Sequence, residues 1–276
     1  VESILPAAIQ GELPGKRDLL LQALLHLPRM AQPDGTIEVG LAVAEIERLR
    51  EMRAKELTPL LAIALPPALL PSLDQLEVRV IDPGDAEPIV SHFHYLRSFR
   101  EDSVNVAALY RHRIVALCSV SPLDLPHISD KLPIISAEEA AVISRVFAFD
   151  WAPRSVVSYM LARAEKVLAL RSEIRILLTY LNPNMGFTGA SYRAANWRQV
   201  GLEAGTRYAY LRGEYITDRR LLSLTQTEGR AVEFSHMPLL PLIVLARFLD
   251  PQLNRVSTRF AEFIVEHPAR SDALAR

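Results

Sequence analysis

Cysteine is almost missing: Cys118 stands alone among 276 residues. That excludes an internal disulfide and a thiolate zinc cluster, and it suits a reducing cytoplasm. A charge surplus is missing too. With 31 Lys and Arg against 32 Asp and Glu, the net charge is −1, which excludes a uniformly basic nucleic-acid coat and an acidic solvating chain, though not a local patch. No long apolar run is present. The longest uncharged stretch, residues 57–73, carries Pro59, Pro66, Pro67 and Pro71 and falls just short of the about 18–20 residues of a membrane-spanning helix. Residues 237–248 are apolar but shorter, and contain Arg247. No basic segment with an apolar run and a cleavage site follows Val1, so neither a secretory signal nor a membrane partner is expected. Zinc-finger, helix-turn-helix and Walker patterns do not occur, nor does an internal repeat.

What is present is enough to fold. Half the chain is apolar and 23% is charged, so a sizeable core forms in one to two domains. Residues 1–76 read as a helical, mildly acidic extension, with 7 Lys/Arg and 10 Asp/Glu. Apolar residues recur at helical spacing over 18–27 and 42–61, with Leu41, Ile46 and Leu49 on one face. Alternation over 76–81 begins strand-like structure, and Pro83-Gly84-Asp85 reads as a turn. Residues 77–224 form a mixed α/β domain. Strands are expected at 104–110 and 114–121 around the glycine-free turn Arg111-His112-Arg113, then at 142–150, 174–181 and 208–216. Helices are expected at 155–170 and at 190–200, the latter with Thr188 as N-cap and Gly201 as its stop. Residues 225–276 read as a helical extension, with helices at 238–249 and 258–265.

Two segments concentrate the residues suited to chemistry. In the first, a strand ends at Asp150 and a helix begins near Ser155. The first turn of a helix has backbone N–H groups without intrahelical partners and a partial positive charge, so it can seat a phosphate. Arg154 adds a possible charge-assisted contact, while Ser155 also fits an ordinary N-cap. In the second, Asn182-Pro183-Asn184 and Gly186 break the chain directly after a buried strand, where ligands collect in open α/β sheets. Tyr192, Asn196 and Trp197 follow. They suit either a planar, hydrogen-bonding substrate or a core aromatic helix packed through Ala194 and Ala195. His92 and His94 flank Phe93, and either could take a proton from an attacking amine. Both also fit surface positions. As an H-x-H pair they could ligate a metal, but no third ligand stands at telling spacing, and none is expected. Residues 143–230 hold 13 Lys/Arg against 7 Asp/Glu. That surplus suits polyanionic ligands or a solvated basic face.

The strings Asp150-Trp151-Ala152-Pro153-Arg154-Ser155, residues 178–201 and residues 207–220 resemble the Mom family of phage DNA-modification proteins. That family lies within the Gcn5-related N-acetyltransferase superfamily. The resemblance covers roughly residues 91–220. Ser155 stands where the family's turn usually has asparagine, and Phe187 replaces a usual histidine before Gly189-Ala190-Ser191-Tyr192-Arg193-Ala194-Ala195-Asn196-Trp197. The string from Tyr192 to Trp197, and His94-Tyr95-Leu96, also echo the Druantia anti-phage protein A family.

The resemblance implies an acetyltransferase-like mixed sheet with helical extensions at both ends, using acetyl-CoA or another acyl-CoA. The strand at 142–150, through Phe147, Ala148 and Phe149, would pair with the pantetheine arm. The turn and helix start of Arg154, Ser155, Val156, Val157 and Ser158 would hold the pyrophosphate, although no glycine lies in that turn. Tyr192 would protonate the departing thiolate, its phenol being protonated at neutral pH, and His94 would be the base. His92, Tyr95, Arg145, Asn182, Asn196 and Trp197 would contact the acceptor. By resemblance the leading acceptor is an adenine amino group in DNA. A small-molecule or protein amine, or a non-catalytic nucleic-acid-binding role in phage defence, are the alternatives.

Overall fold

The computed structural model describes residues 16–123, 136–169, 173–204, 207–236, 239–250, 252–253 and 263–265. Among the described residues, eleven strands form two sheets, of eight and three strands. The large sheet begins with β1 (Glu77–Ile81), β2 (Val104–Tyr110), β3 (Arg113–Pro122) and β4 (Ala140–Ala148), each antiparallel to the one before. The β2–β3 connection has no glycine, yet Arg111 and His112 both take positive φ, 47° and 66°. Two consecutive positive φ values give the primed turn that matches the twist of paired strands. After β4, helix α4 (Val156–Ala169) leads to β5 (Ile176–Leu181), parallel to β4.

Both faces of this sheet are buried because its strands alternate between two cores. Met160, Leu161, Ala164 and Leu168 of α4 pack with Val106, Ala116, Cys118 and Val120 on one face. On the other face, Ala86, Ile89 and Val90 of α3 (Pro83–His92) pack with Ala107 and Leu117. Pro83-Gly84-Asp85 therefore opens a helix instead of a turn, since proline fits the first helical position, where its missing N–H costs no hydrogen bond.

The described residues before β1 hold α1 (Lys16–His26) and α2 (Val39–Leu57), joined through Leu19, Ala23, Ile46 and Leu49. This helix pair docks on the small sheet of β7 (Ala209–Leu211), β8 (Glu214–Ile216) and β9 (Val232–Phe234). There the Tyr210 hydroxyl donates to the Leu25 carbonyl at 2.6 Å.

Three expectations fail towards the C-terminus. The helix at 190–200 is only α5 (Ala190–Ala194), with Gly189 as its N-cap, and β6 (Arg198–Glu203) follows it. Asn196 takes φ +63°, which ends the helix, because asparagine is among the few residues that tolerate the left-handed region. The apolar run read as a helix at 238–249 is β10 (Leu242–Phe248), antiparallel to both β5 and β6 and seated between them. A strand buried on both faces shows no alternation, so its periodicity mimics a buried helix. Of the helix expected at 258–265, residues 263–265 form strand β11 (Phe263–Val265), parallel to β6, and 258–262 lie outside the described residues. The segment 225–276 is therefore not a separate helical extension: β10 sits inside the large sheet.

Candidate active site

The β4–β5 ladder stops early. Pairing runs over Ala140↔Ile176, Ala141↔Leu177 and Val142↔Leu178 and goes no further. Beyond it, β4 keeps pairing with β3 as far as Ala148↔Ala116, so residues 143–148 present their other edge to a gap. Thr179 Oγ1 donates to the Ile143 carbonyl at 3.1 Å, where the ladder ends. The same oxygen lies 3.3 Å from the Tyr192 hydroxyl.

The gap opens on a cavity of about 590 Å³, within the roughly 300–1,000 Å³ common for small-ligand sites. Aromatic rings dominate its wall. Phe149 stacks on Trp151 at 5.3 Å with planes 8° apart, and Phe93 meets Phe149 edge-on at 5.4 Å. Tyr95 and Phe187 lie 5.7 Å apart. Tyr192 completes the wall from α5 and is held edge-on against Trp197 at 5.2 Å. Burial raises the pKa of the Tyr192 hydroxyl, so it remains a proton donor across the physiological range.

The expected site residues divide into three groups. Phe147, Ala148, Phe149, Val157, His94, Tyr95 and Tyr192 line this cavity. Arg154 and Ser155 are exposed beside it, at the start of α4, and Val156 is buried in the core. Ser155 takes φ +68°, and Ser158 Oγ donates back to the Ser155 carbonyl at 3.0 Å. Five other residues are engaged elsewhere. His92 Nδ1 is 2.8 Å from Glu56. Arg145 donates to the carbonyls of Ser98 and Ser144 at 2.9 and 2.6 Å. Asn182 donates to the Tyr208 hydroxyl at 2.7 Å and accepts from the Asn184 N–H at 3.0 Å. Asn196 is an exposed turn residue. Trp197 is buried, with its indole N–H on Glu165 at 3.2 Å. None of the five lines the cavity, and each fits a structural role.

His94 also departs from expectation. Its Nδ1 accepts the Leu96 N–H at 3.2 Å, so the neutral ring carries its proton on Nε2 and can donate there but not accept. Burial, with Arg145 nearby, holds its pKa well below the ordinary value. A buried neutral donor is a poor base.

One wall of the cavity has no signal in the sequence. Arg17, Asp18 and Leu21 of α1 and Ala64, Leu65 and Pro66 of the strap after α2 line the same cavity. They lie more than a hundred residues from Tyr192, and no spacing could announce the meeting. Among the described residues, no group of three or more His, Cys, Asp or Glu could hold a metal ion, and no helix is long and apolar enough to cross a membrane.

Comparison with known proteins gives one family: the sequence pattern of the Mom protein family matches residues 75–242. No curated protein matches. Solved structures similar to the chain include an acetyltransferase of the GNAT family from Streptococcus pneumoniae, 10% identical, covering 63% of this chain and 99% of that one with a TM-score of 0.38. The spermidine/spermine N-acetyltransferase of Vibrio cholerae is 8% identical over 66% of this chain and 98% of that one, with a TM-score of 0.41. NAA60 of Arabidopsis thaliana in complex with acetyl-CoA is 14% identical over 63% and 98%, with a TM-score of 0.42.

Proposed function

The chain belongs to the Mom protein family, and from that premise we propose that it is an acyl-CoA-dependent transferase that modifies the adenine amino group in DNA. The observation that carries this reading is the stretch of β4 beyond Val142 that β5 does not pair, which lies on an aromatic cavity. A free strand edge offers alternating N–H and C=O groups to any extended, amide-bearing ligand, and the pantetheine arm is such a ligand. Acyl-CoA, when bound, supplies the activated thioester.

The chain's own residues divide the remaining work. Arg154 and the first-turn amides of α4, at Val157 and Ser158, have no intrahelical carbonyl to bond and suit the phosphates. Tyr192 holds its proton inside the cavity and is suited to give it to the departing sulfur. The rings of Phe93, Phe149 and Trp151 exclude water and offer flat faces for a planar base. An enzyme that works on a base must first take it out of the duplex stack, and the cavity is walled for such a guest.

Mass spectrometry of nucleosides from cells expressing the chain tests the acceptor. A modified adenine nucleoside is expected. Unchanged DNA alongside an acylated protein or small amine would move the acceptor to another amine. Calorimetry that detects no CoA binding to folded protein would sink the transferase reading altogether.

A further inference from the structure

We propose that Asp18 is the base that takes the proton from the acceptor amine, which makes the N-terminal helix pair part of the active site. The inference rests on the acyl-transfer reading above and adds a residue outside the span of the family match.

The geometry is specific. Asp18 lines the cavity and is only 6% exposed. Its Oδ2 is 2.5 Å from Arg53 Nη2, which fixes the carboxylate on one side. Its Oδ1 is buried and, among the described residues, has no hydrogen-bond partner. A buried carboxylate oxygen without a donor is costly and uncommon. The partner it lacks is a hydrogen-bond donor, and the N–H of an amine in the cavity is one.

The other titratable groups of the cavity serve less well. His94 presents a donor, and Tyr95 and Tyr192 hold their protons because burial raises both. Asp150 is exposed, at the strand end beside Arg154. Around Asp18 stand Arg53 and Glu56 of α2 and Arg97 from the loop after α3, with Arg17 next to it in the chain. Burial outweighs the pull of Arg53 and raises the carboxyl to about 7. A base is most effective when its pKa lies near the working pH.

The step balances. The amine nitrogen forms its bond to the thioester carbonyl carbon and gives its proton to Asp18. The carbon–sulfur bond breaks, the sulfur takes the Tyr192 proton, and solvent restores both side chains. The products are an amide and a free thiol.

The test uses the full chain with acetyl-CoA and an adenine-containing oligonucleotide, across pH 5.5–8.5. Turnover by the unaltered chain should rise with pH through an inflection near 7. Asp18→Asn should lower it by about 10²–10⁴-fold and abolish the inflection, while CoA affinity by calorimetry stays the same. Because Asp18→Asn leaves Arg53 without its partner, the double change Asp18→Asn with Arg53→Met is made alongside and should be equally inactive but folded. Gln22, one turn along α1, also has unpartnered amide atoms, so Gln22→Leu is the control and should keep its turnover. Independently of activity, infrared titration of the unliganded chain should show a carboxyl ionising near pH 7 that Asp18→Asn removes. Product from Asp18→Asn at the unaltered rate, or an equal loss in Gln22→Leu, overturns this inference alone. No product from the unaltered chain at any pH overturns the reading that it acylates adenine in DNA, and the inference with it.

Discussion

The N-terminal helix pair treats its two buried carboxylates in opposite ways. At the end that docks on the small sheet, Glu45 is surrounded: His26 Nδ1 and Arg48 Nη2 lie 3.0 and 2.8 Å from Oε1, and Arg29 is 3.3 Å from Oε2. Arg48 reaches on to Glu214 of β8 at 2.9 Å. Despite burial, these partners hold the Glu45 carboxyl far below the ordinary carboxylate range. At the cavity end, Asp18 has one cationic partner in hydrogen-bond contact, and burial wins. A closed ion network fixes the helices to the sheet, whereas an incompletely paired carboxylate is poised for a ligand. One element thus serves as anchor and as wall.

Changes at the cavity should therefore move turnover, and changes at the anchor should move stability. The largest effect is expected from Tyr192→Phe, which keeps the ring and removes a hydroxyl whose nearest partner is Thr179 at 3.3 Å. Turnover should fall by about 10²–10⁴-fold, with a stability loss of no more than about 0.5–1.5 kcal/mol. Full activity in that variant would remove Tyr192 from the chemistry. Next comes Glu45→Gln, which strips the counter-charge from His26, Arg29 and Arg48. It should cost about 3 kcal/mol in denaturant unfolding without altering CoA affinity. A weakened affinity at unchanged stability would dissolve the division between anchor and wall.

The pH dependence of the melting temperature sharpens the same contrast, and the signs are opposite. The Glu45 pKa is lower in the folded state, so its contribution is present above about pH 4.5 and is lost as the pH falls below that. Asp18 is raised from the ordinary carboxyl range to about 7. Between about pH 4 and 7 the folded chain holds a proton that the unfolded chain has released, so this group lowers stability as pH rises through that window. Asp18→Asn should flatten the curve between about pH 4 and 7, and Glu45→Gln should flatten it below about 4.5. Curves that coincide with that of the unaltered chain would show that neither group titrates as its surroundings dictate.

How much of this was legible in the sequence follows from the range of each signal. Local periodicity gave α1, α2, α4 and strands β1 to β5 nearly at their true bounds. It failed at β10, where LIVLARF is apolar except for Arg247 because a strand seated between β5 and β6 inside the sheet is covered on both faces. The motif from Gly186 to Trp197 falls at the cavity, but spacing could not separate Tyr192, which lines the cavity, from Trp197, which packs behind it. Nor could spacing show that His94 would use Nδ1 on the Leu96 N–H, or that Asp18 would meet the cavity from the far end of the chain. Those facts are set by packing between distant segments.

The smallest expected effect lies outside both regions, at Arg154. This side chain is exposed at the start of α4, and Ser155 beside it adopts a left-handed conformation. With no glycine in the turn, a phosphate gains close backbone approach only from the first-turn amides, and the guanidinium supplies a charge from outside. Losing one charge-assisted hydrogen bond is worth about 1.5–3 kcal/mol at most, and exposure to water reduces it. Arg154→Ala should therefore weaken CoA binding by about tenfold in calorimetry. A contact to phosphate predicts that the loss shrinks as salt screens it and vanishes for an acyl-pantetheine lacking the nucleotide. Melting temperature and turnover at saturating acyl-CoA should not change, because the residue touches neither the anchor nor the reacting atoms. An equal loss for acyl-pantetheine would mean that Arg154 acts on the fold of the turn, and the phosphate site would have to lie elsewhere on α4.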